Sequence, residues 1–133
     1  MIAQQLHNDF QKSPYSQSAS AAPAHHLIVP HKGRHLIIQT NDITCLIGEG
    51  NYSFLYTKDG NKYLLSKTLK SFETILDNDV FLRVHKSSII NVNYLKEISV
   101  DPDRYVKLKC GKEVSISRRK MQEVCEVLGY SQI

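Results

Sequence analysis

Short runs of alternating apolar and polar residues, closed by glycine turns, predict a mainly β domain with one or two short helices. Alternation at the two-residue period of a half-buried strand recurs along the chain, most cleanly in YVKLKC and KEVSIS. Turn signals separate the runs: Gly33 in HKGR, Asp59-Gly60 in KDGN and Gly111 between the two basic runs. Asp-Gly is a strong short-range hairpin signal. Helical spacing of apolar residues is confined to two stretches, Leu65–Leu76 and Met121–Leu128.

The composition fits one ordinary domain. A chain of 133 residues with 41% hydrophobic and 23% charged residues can bury its own core but hardly two. Cys45, Cys110 and Cys125 are odd in number and lack CxxC spacing, which argues against a disulfide framework or zinc site and for a reducing compartment. Neither a signal-peptide core nor an apolar run of bilayer length occurs. A cytoplasmic protein is expected. Its net charge of +4 is uneven: Phe81–Lys120 holds ten Lys and Arg against four acids, a net +6, which leaves −2 on the remainder. That pattern suits either a polyanion-binding side or a solvated Lys-rich surface.

In chain order, residues 1–24 have the Gln, Ser, Ala and Pro composition of a tether, or of the remains of a connection to an upstream domain. Ile2, Leu6 and Phe10 would permit a short helix there. His25, His26, His31 and His35 lack the cysteine or carboxylate needed to complete a metal-ligand set. LIVP and HLIIQT read as strands around Gly33, and ITCLIGEG and NYSFLYT follow. Gly48 and Gly50 are expected to mark a bend, bulge or tight turn rather than a continuous central strand. As a phosphate loop, G-x-G without a third glycine and a following helix is weak. KYLLS returns from Asp59-Gly60 as a hairpin partner. Ser66 would cap the first helix, with Leu65, Leu69, Phe72 and Leu76 as core contacts.

Phe81–Ile98, FLRVHKSSIINVNYLKEI, has apolar runs broken by a polar knot at His85, Lys86 and Ser87. Such a break belongs in a loop or strand end, where side chains can reach a partner. Its donors and positive charge suit a phosphate or a base edge. The final hairpin should place Val106, Leu108, Cys110, Val114 and Ile116 on one face, with Lys107 and Lys109 outward. A second helix follows Ser117, stops at Gly129 and carries Arg118, Arg119 and Lys120 in its first turn. Cations there oppose the helix dipole, so an anion site is the favoured explanation.

These segments together resemble the LytTR family of bacterial DNA-binding domains, from about Leu27 to Leu128. The most specific part is F-x-R-x-H-x-S-x-x-x-N at Phe81, Arg83, His85, Ser87 and Asn91; Ser117-Arg118 after the last strand is the second. The resemblance implies an elongated domain, residues 25–133, of about ten short antiparallel strands with one or two short helices. It further implies sequence-specific binding of double-stranded DNA by a transcription regulator, through loops that enter successive major grooves and touch the minor groove between. The implied contacts are Asn51, Tyr52 and Ser53 in a first loop, Lys86 between His85 and Ser87, and Arg118 with its neighbours Arg119 and Lys120. Family members commonly follow a receiver domain in response regulators. This chain has no room for one, so a stand-alone member or a domain cut from a longer regulator is expected. A homodimer on direct repeats is expected by analogy, with no cofactor and no enzymatic activity.

The roles can be argued physically. Arg118 can make a bidentate contact with guanine, Lys86 suits phosphates or a narrow minor groove, and Ser87 and Ser117 can donate to phosphate oxygens. Against these stand structural readings, in which His85 and Asn91 satisfy buried backbone groups, Ser117 caps a helix end and Arg83 forms an ion pair. A hydrolase is disfavoured because no acid or nucleophile elbow accompanies His85 and Ser87. A protein- or RNA-binding β module using the same basic face stays open as the alternative.

Overall fold

The computed structural model describes residues 22–129; the tether and helix expected within residues 1–21, and the last four residues of the chain, lie outside the described part. Strands β1 (His26–His31) and β2 (Arg34–Gln39) form a separate antiparallel hairpin. Its two-residue turn, Lys32 at φ 51° and Gly33 at φ 76°, has the paired positive φ angles whose twist matches a hairpin. A 3-10 turn over Thr40–Asp42 then leads into β3 (Ile43–Glu49), β4 (Tyr52–Thr57) and β5 (Lys62–Leu65). Helix α1 (Leu69–Glu73) precedes β6 (Phe81–His85) and β7 (Ser88–Asn91). After β8 (Leu95–Ser99), β9 (Tyr105–Leu108) and β10 (Glu113–Ser115), the described chain closes with α2 (Arg118–Val127).

A five-stranded antiparallel sheet, ordered β5-β4-β3-β7-β6, lies at the centre. On one face Leu46 and Ile89 pack with Val29 and Ile38 of the β1–β2 hairpin and Leu69 and Phe72 of α1. On the other, Cys45, Leu82, Val84 and Ile90 meet Val106, Leu108 and Val114 of the β8–β9–β10 sheet and Met121, Val124 and Cys125 of α2. All four residues of β7 are buried because both its faces are covered. Burying Ile89 and Ile90 in this way stabilises the fold by roughly 1.5–3 kcal/mol each. The uninterrupted apolar pair of the sequence is thus a two-sided strand, not a break in alternation.

Four expectations change. Gly48 is no bend: β3 runs through it, and the turn falls at Gly50 (φ 63°) and Asn51. Gly48 is needed for close approach, since a Cβ there would stand 3.1 Å from the Leu69 side chain. The bulge of this strand lies at Ile43/Cys45 instead. The cap of α1 is Thr68, whose Oγ1 accepts from the Ser71 amide at 3.3 Å, and not Ser66. Leu65 belongs to β5, where pairing of Leu65 with Ser53 wins over its helical spacing. Cys110 is exposed, because β9 ends at Leu108 and the chain turns at Gly111 before its alternation could reach the thiol.

Candidate nucleic-acid interface

The β6–β7 turn is held from below by Arg83. Its Nε donates to the His85 carbonyl at 2.9 Å, its Nη2 to the Lys86 carbonyl, and its Nη1 to Glu73 Oε1 at 2.8 Å. One guanidinium therefore fixes the turn to α1. A bulge between Arg83 and His85 redirects the strand just before the turn. The Ser87 amide donates to His85 Nδ1 at 3.2 Å, and Ser87 Oγ lies 3.0 Å from the same nitrogen. Nδ1 acts as the acceptor, so the neutral imidazole carries its proton on Nε2. The Gly48 amide, donating to the Ser87 carbonyl at 2.9 Å, ties the turn to β3. With its neighbours so occupied, Lys86 projects as the exposed cation at the tip.

The start of α2 is built against this turn. The Ser117 amide donates to the Val84 carbonyl at 2.8 Å, and Ser117 Oγ accepts from the Lys120 amide at 3.2 Å. Ser117 thus caps the helix and joins it to β6. Arg118 and Arg119 are exposed, whereas Lys120 Nζ pairs with Glu123 at 3.3 Å. An open cleft of about 540 Å³ results, with Glu73, Arg83, His85 and Lys86 on one wall and Ser117–Lys120 on the other. The two basic segments of the sequence, some thirty residues apart, are brought together.

The first loop adjoins them. Gly50, Tyr52, Thr68, Lys70, Lys86 and Ser87 line a smaller recess between the β3–β4 turn, the start of α1 and the β6–β7 turn. Asn51 is exposed and Tyr52 is 51% exposed, but Ser53 is fully buried, its Oγ donating to the Lys67 carbonyl at 2.6 Å. Ser53 therefore positions the strand and presents nothing outward, because the strand period turns its side chain to the core. Asn91 is likewise internal: its Nδ2 donates to the Ile43 carbonyl at 2.8 Å and its Oδ1 accepts from the Asn93 amide at 2.9 Å. Lys70 had no motif to reveal it. Its place beside Lys86 depends on how α1 packs.

Lys70, Arg83, Lys86, Arg118, Arg119 and Lys120 line these two hollows with Glu73 as the acid among the lining residues, and Glu123 pairs with Lys120, so cations predominate there. Such a surface gains by releasing counterions from a polyanion. As a catalytic pair, His85 and Ser87 are poorly arranged, since Nδ1 already accepts the Ser87 amide. No carboxylate hydrogen-bonds the imidazole among the described residues. Among those residues no group of three or more His, Cys, Asp or Glu could hold a metal ion, and no helix is long and apolar enough to cross a membrane.

The family described as LytTr DNA-binding domain matches residues 33–129. The chain is 35% identical over 130 residues to the heme-containing CO-sensing transcriptional regulator RcoM 2 of Paraburkholderia xenovorans, covering 91% of this chain and 48% of that protein. It is 32% identical over 105 residues to RcoM 1 of the same organism, and 29% identical over 109 residues to the sensory transduction protein LytT of Bacillus subtilis. The latter two matches cover 76% and 74% of this chain and 39% and 45% of those proteins. The chain thus spans half or less of the length of these curated relatives. Among solved structures, the LytTr DNA-binding domain of a response regulator from Bacillus cereus superposes with a TM-score of 0.73 at 20% identity, covering 80% of this chain and 99% of that one. At that identity the likeness speaks for the fold.

Proposed function

The chain belongs to the LytTr DNA-binding domain family, and from that premise we propose that it reads duplex DNA sequence-specifically as the output module of a bacterial transcription regulator. The observation that carries this reading is the meeting of three segments: the β3–β4 turn, the β6–β7 turn and the start of α2. Arg118, exposed on a capped helix start, enters a major groove and contacts guanine O6 and N7. Lys86, at the tip of a braced turn, lies against phosphates or a narrow minor groove between. Asn51 and Tyr52 meet the neighbouring groove. Ser87, His85 and Arg119 contact the backbone and set the register, while Lys120 adds charge. The regulator binds direct repeats as a homodimer.

The RNA alternative is the weaker one. Single-strand readers stack bases on open aromatic rings. Along β4, Phe54 lies under Lys62 at 4.8 Å and Tyr56 under Lys112 at 4.4 Å, which leaves Tyr52 as the open ring. The heme in two relatives' names is not carried over, since the match spans less than half of each protein.

Selection of bound fragments from random duplex DNA, followed by gel shifts with a salt titration, tests the proposal. One sequence class should be enriched, and Arg118→Ala should lose roughly 1–3 kcal/mol of preference for it. Absence of duplex binding at low salt, or an Arg118→Ala variant with unchanged affinity and preference, would overturn it.

A further inference from the structure

Arg118 stands on a ridge between two clefts. One is the cleft shared with Lys86 and Lys120; the other, of about 600 Å³, is lined by His85, Arg104, Tyr105, Ser115, Ser117 and Arg118 together with the acids Asp103 and Glu113. Arg104 is the unusual residue here. Its Nε is buried, and it is the one buried side-chain nitrogen or oxygen among the described residues without a hydrogen-bond partner. Neither Asp103 nor Glu113 lies within ion-pair distance of it among those residues. Its backbone is fixed, since the Ile116 amide donates to the Arg104 carbonyl at 3.1 Å and Ser99 Oγ to the Asp103 carbonyl at 2.8 Å. The buried Nε is out of a ligand's reach, but Nη1 and Nη2 are not buried and donate to no protein acceptor among the described residues, so this end of the guanidinium is available at the cleft that Arg118 also lines.

A side chain that reads the floor of a groove is flanked by a phosphate row on each side. Lys86 and Arg119 share one cleft with Arg118, and Arg104 shares the other. We propose that Arg104 is a backbone-phosphate contact on the second wall of the groove, with a phosphodiester oxygen accepting from its solvent-reached Nη groups rather than from the buried Nε. This rests on the DNA-binding reading above. A phosphate is favoured over a carboxylate because the two carboxylates that line the same cleft leave the guanidinium unpaired. It is also favoured because Arg offers the planar fork that suits phosphate oxygens. A contact of this kind adds affinity without adding sequence preference.

The test compares wild type with Arg104→Gln and Arg104→Lys on the selected duplex and on a random-sequence duplex, across a salt series. Arg104→Gln should weaken both complexes by a similar factor, roughly three- to tenfold at low salt, and reduce the slope of log affinity on log salt by about 0.9. Arg104→Lys, which keeps the charge, should retain the wild-type slope. Should the glutamine variant not fold, Arg104→Met provides the uncharged comparison. A wild-type slope in the uncharged variant overturns the inference, as does an equal loss of slope in the lysine and uncharged variants. Loss confined to the selected sequence overturns it too, because that would make Arg104 a base reader. If wild type binds duplex DNA and only these results fail, the DNA-binding reading stands. If wild type does not bind at all, both fall.

Discussion

Arg83 and Arg118 have the same side chain and different tasks. Arg83 uses Nε, Nη1 and Nη2 inside the protein, bracing two carbonyls and Glu73, while Arg118 is exposed at a helix start. Arg83→Ala should lower stability by about 1–3 kcal/mol, as three hydrogen bonds from a charged, part-buried donor are lost, and should weaken DNA binding by loosening the Lys86 turn. Arg118→Ala should leave stability within about 0.5 kcal/mol of wild type. Thermal melts on the two variants, run beside gel shifts, separate bracing from reading. Asn91→Ala would leave the Ile43 carbonyl and the Asn93 amide without their side-chain partner. A loss of roughly 2–4 kcal/mol is expected in chemical denaturation, from a residue that touches no ligand.

At the scale of the element, α2 couples stability to function with opposite signs. Its first turn stacks Arg118, Arg119 and Lys120 on the positive end of the helix dipole, with no acid there to offset them. Arg119→Glu should therefore stabilise the fold by about 0.3–1 kcal/mol while weakening duplex binding. A melting temperature that falls, or binding that is unchanged, would contradict this account. Ser117 holds the same turn through its cap, so Ser117→Ala should cost about 1 kcal/mol and Ser117→Gly less. The β6–β7 hairpin is comparable: its tip is short and braced, which lets one lysine be aimed.

For the molecule as a whole, the central sheet is covered on both faces, and its cysteines report on that arrangement. Burial pushes the Cys45 thiol up to about 11, from 9.0. The unfolded thiol ionises first, so this group leaves stability intact below pH 9 and withdraws it as pH rises toward 11. The total is no more than roughly 3 kcal/mol. A urea midpoint that is flat up to pH 9 and falls above it is expected, and Cys45→Ala should flatten that fall. In the folded protein Cys110 should react with a thiol reagent at once, whereas buried Cys45 and Cys125 should react only on unfolding. Two or three fast thiols by mass spectrometry would show that the second core is not closed.

Much of the fold could be read along the chain. Strand alternation, the Gly33, Asp59-Gly60 and Gly111 turns and the two helical stretches depend on local backbone geometry, which neighbouring residues encode. The basic excess of Phe81–Lys120 and the spaced motif from Phe81 to Asn91 were equally legible, because charge and residue type need no coordinates. The partner of each polar group was not. Ser53 and Asn51 are two residues apart, yet one bonds Lys67 in the interior and the other faces solvent. Gly48 looked like a bend until Leu69, twenty-one positions on, was found against it. Sequence alone determined which elements form and where positive charge gathers. Tertiary structure decided which cations remain free, because that depends on hydrogen bonds closed between segments tens of residues apart. By that rule Arg83 became a brace, while Lys86 and Arg118 were left lining one cleft.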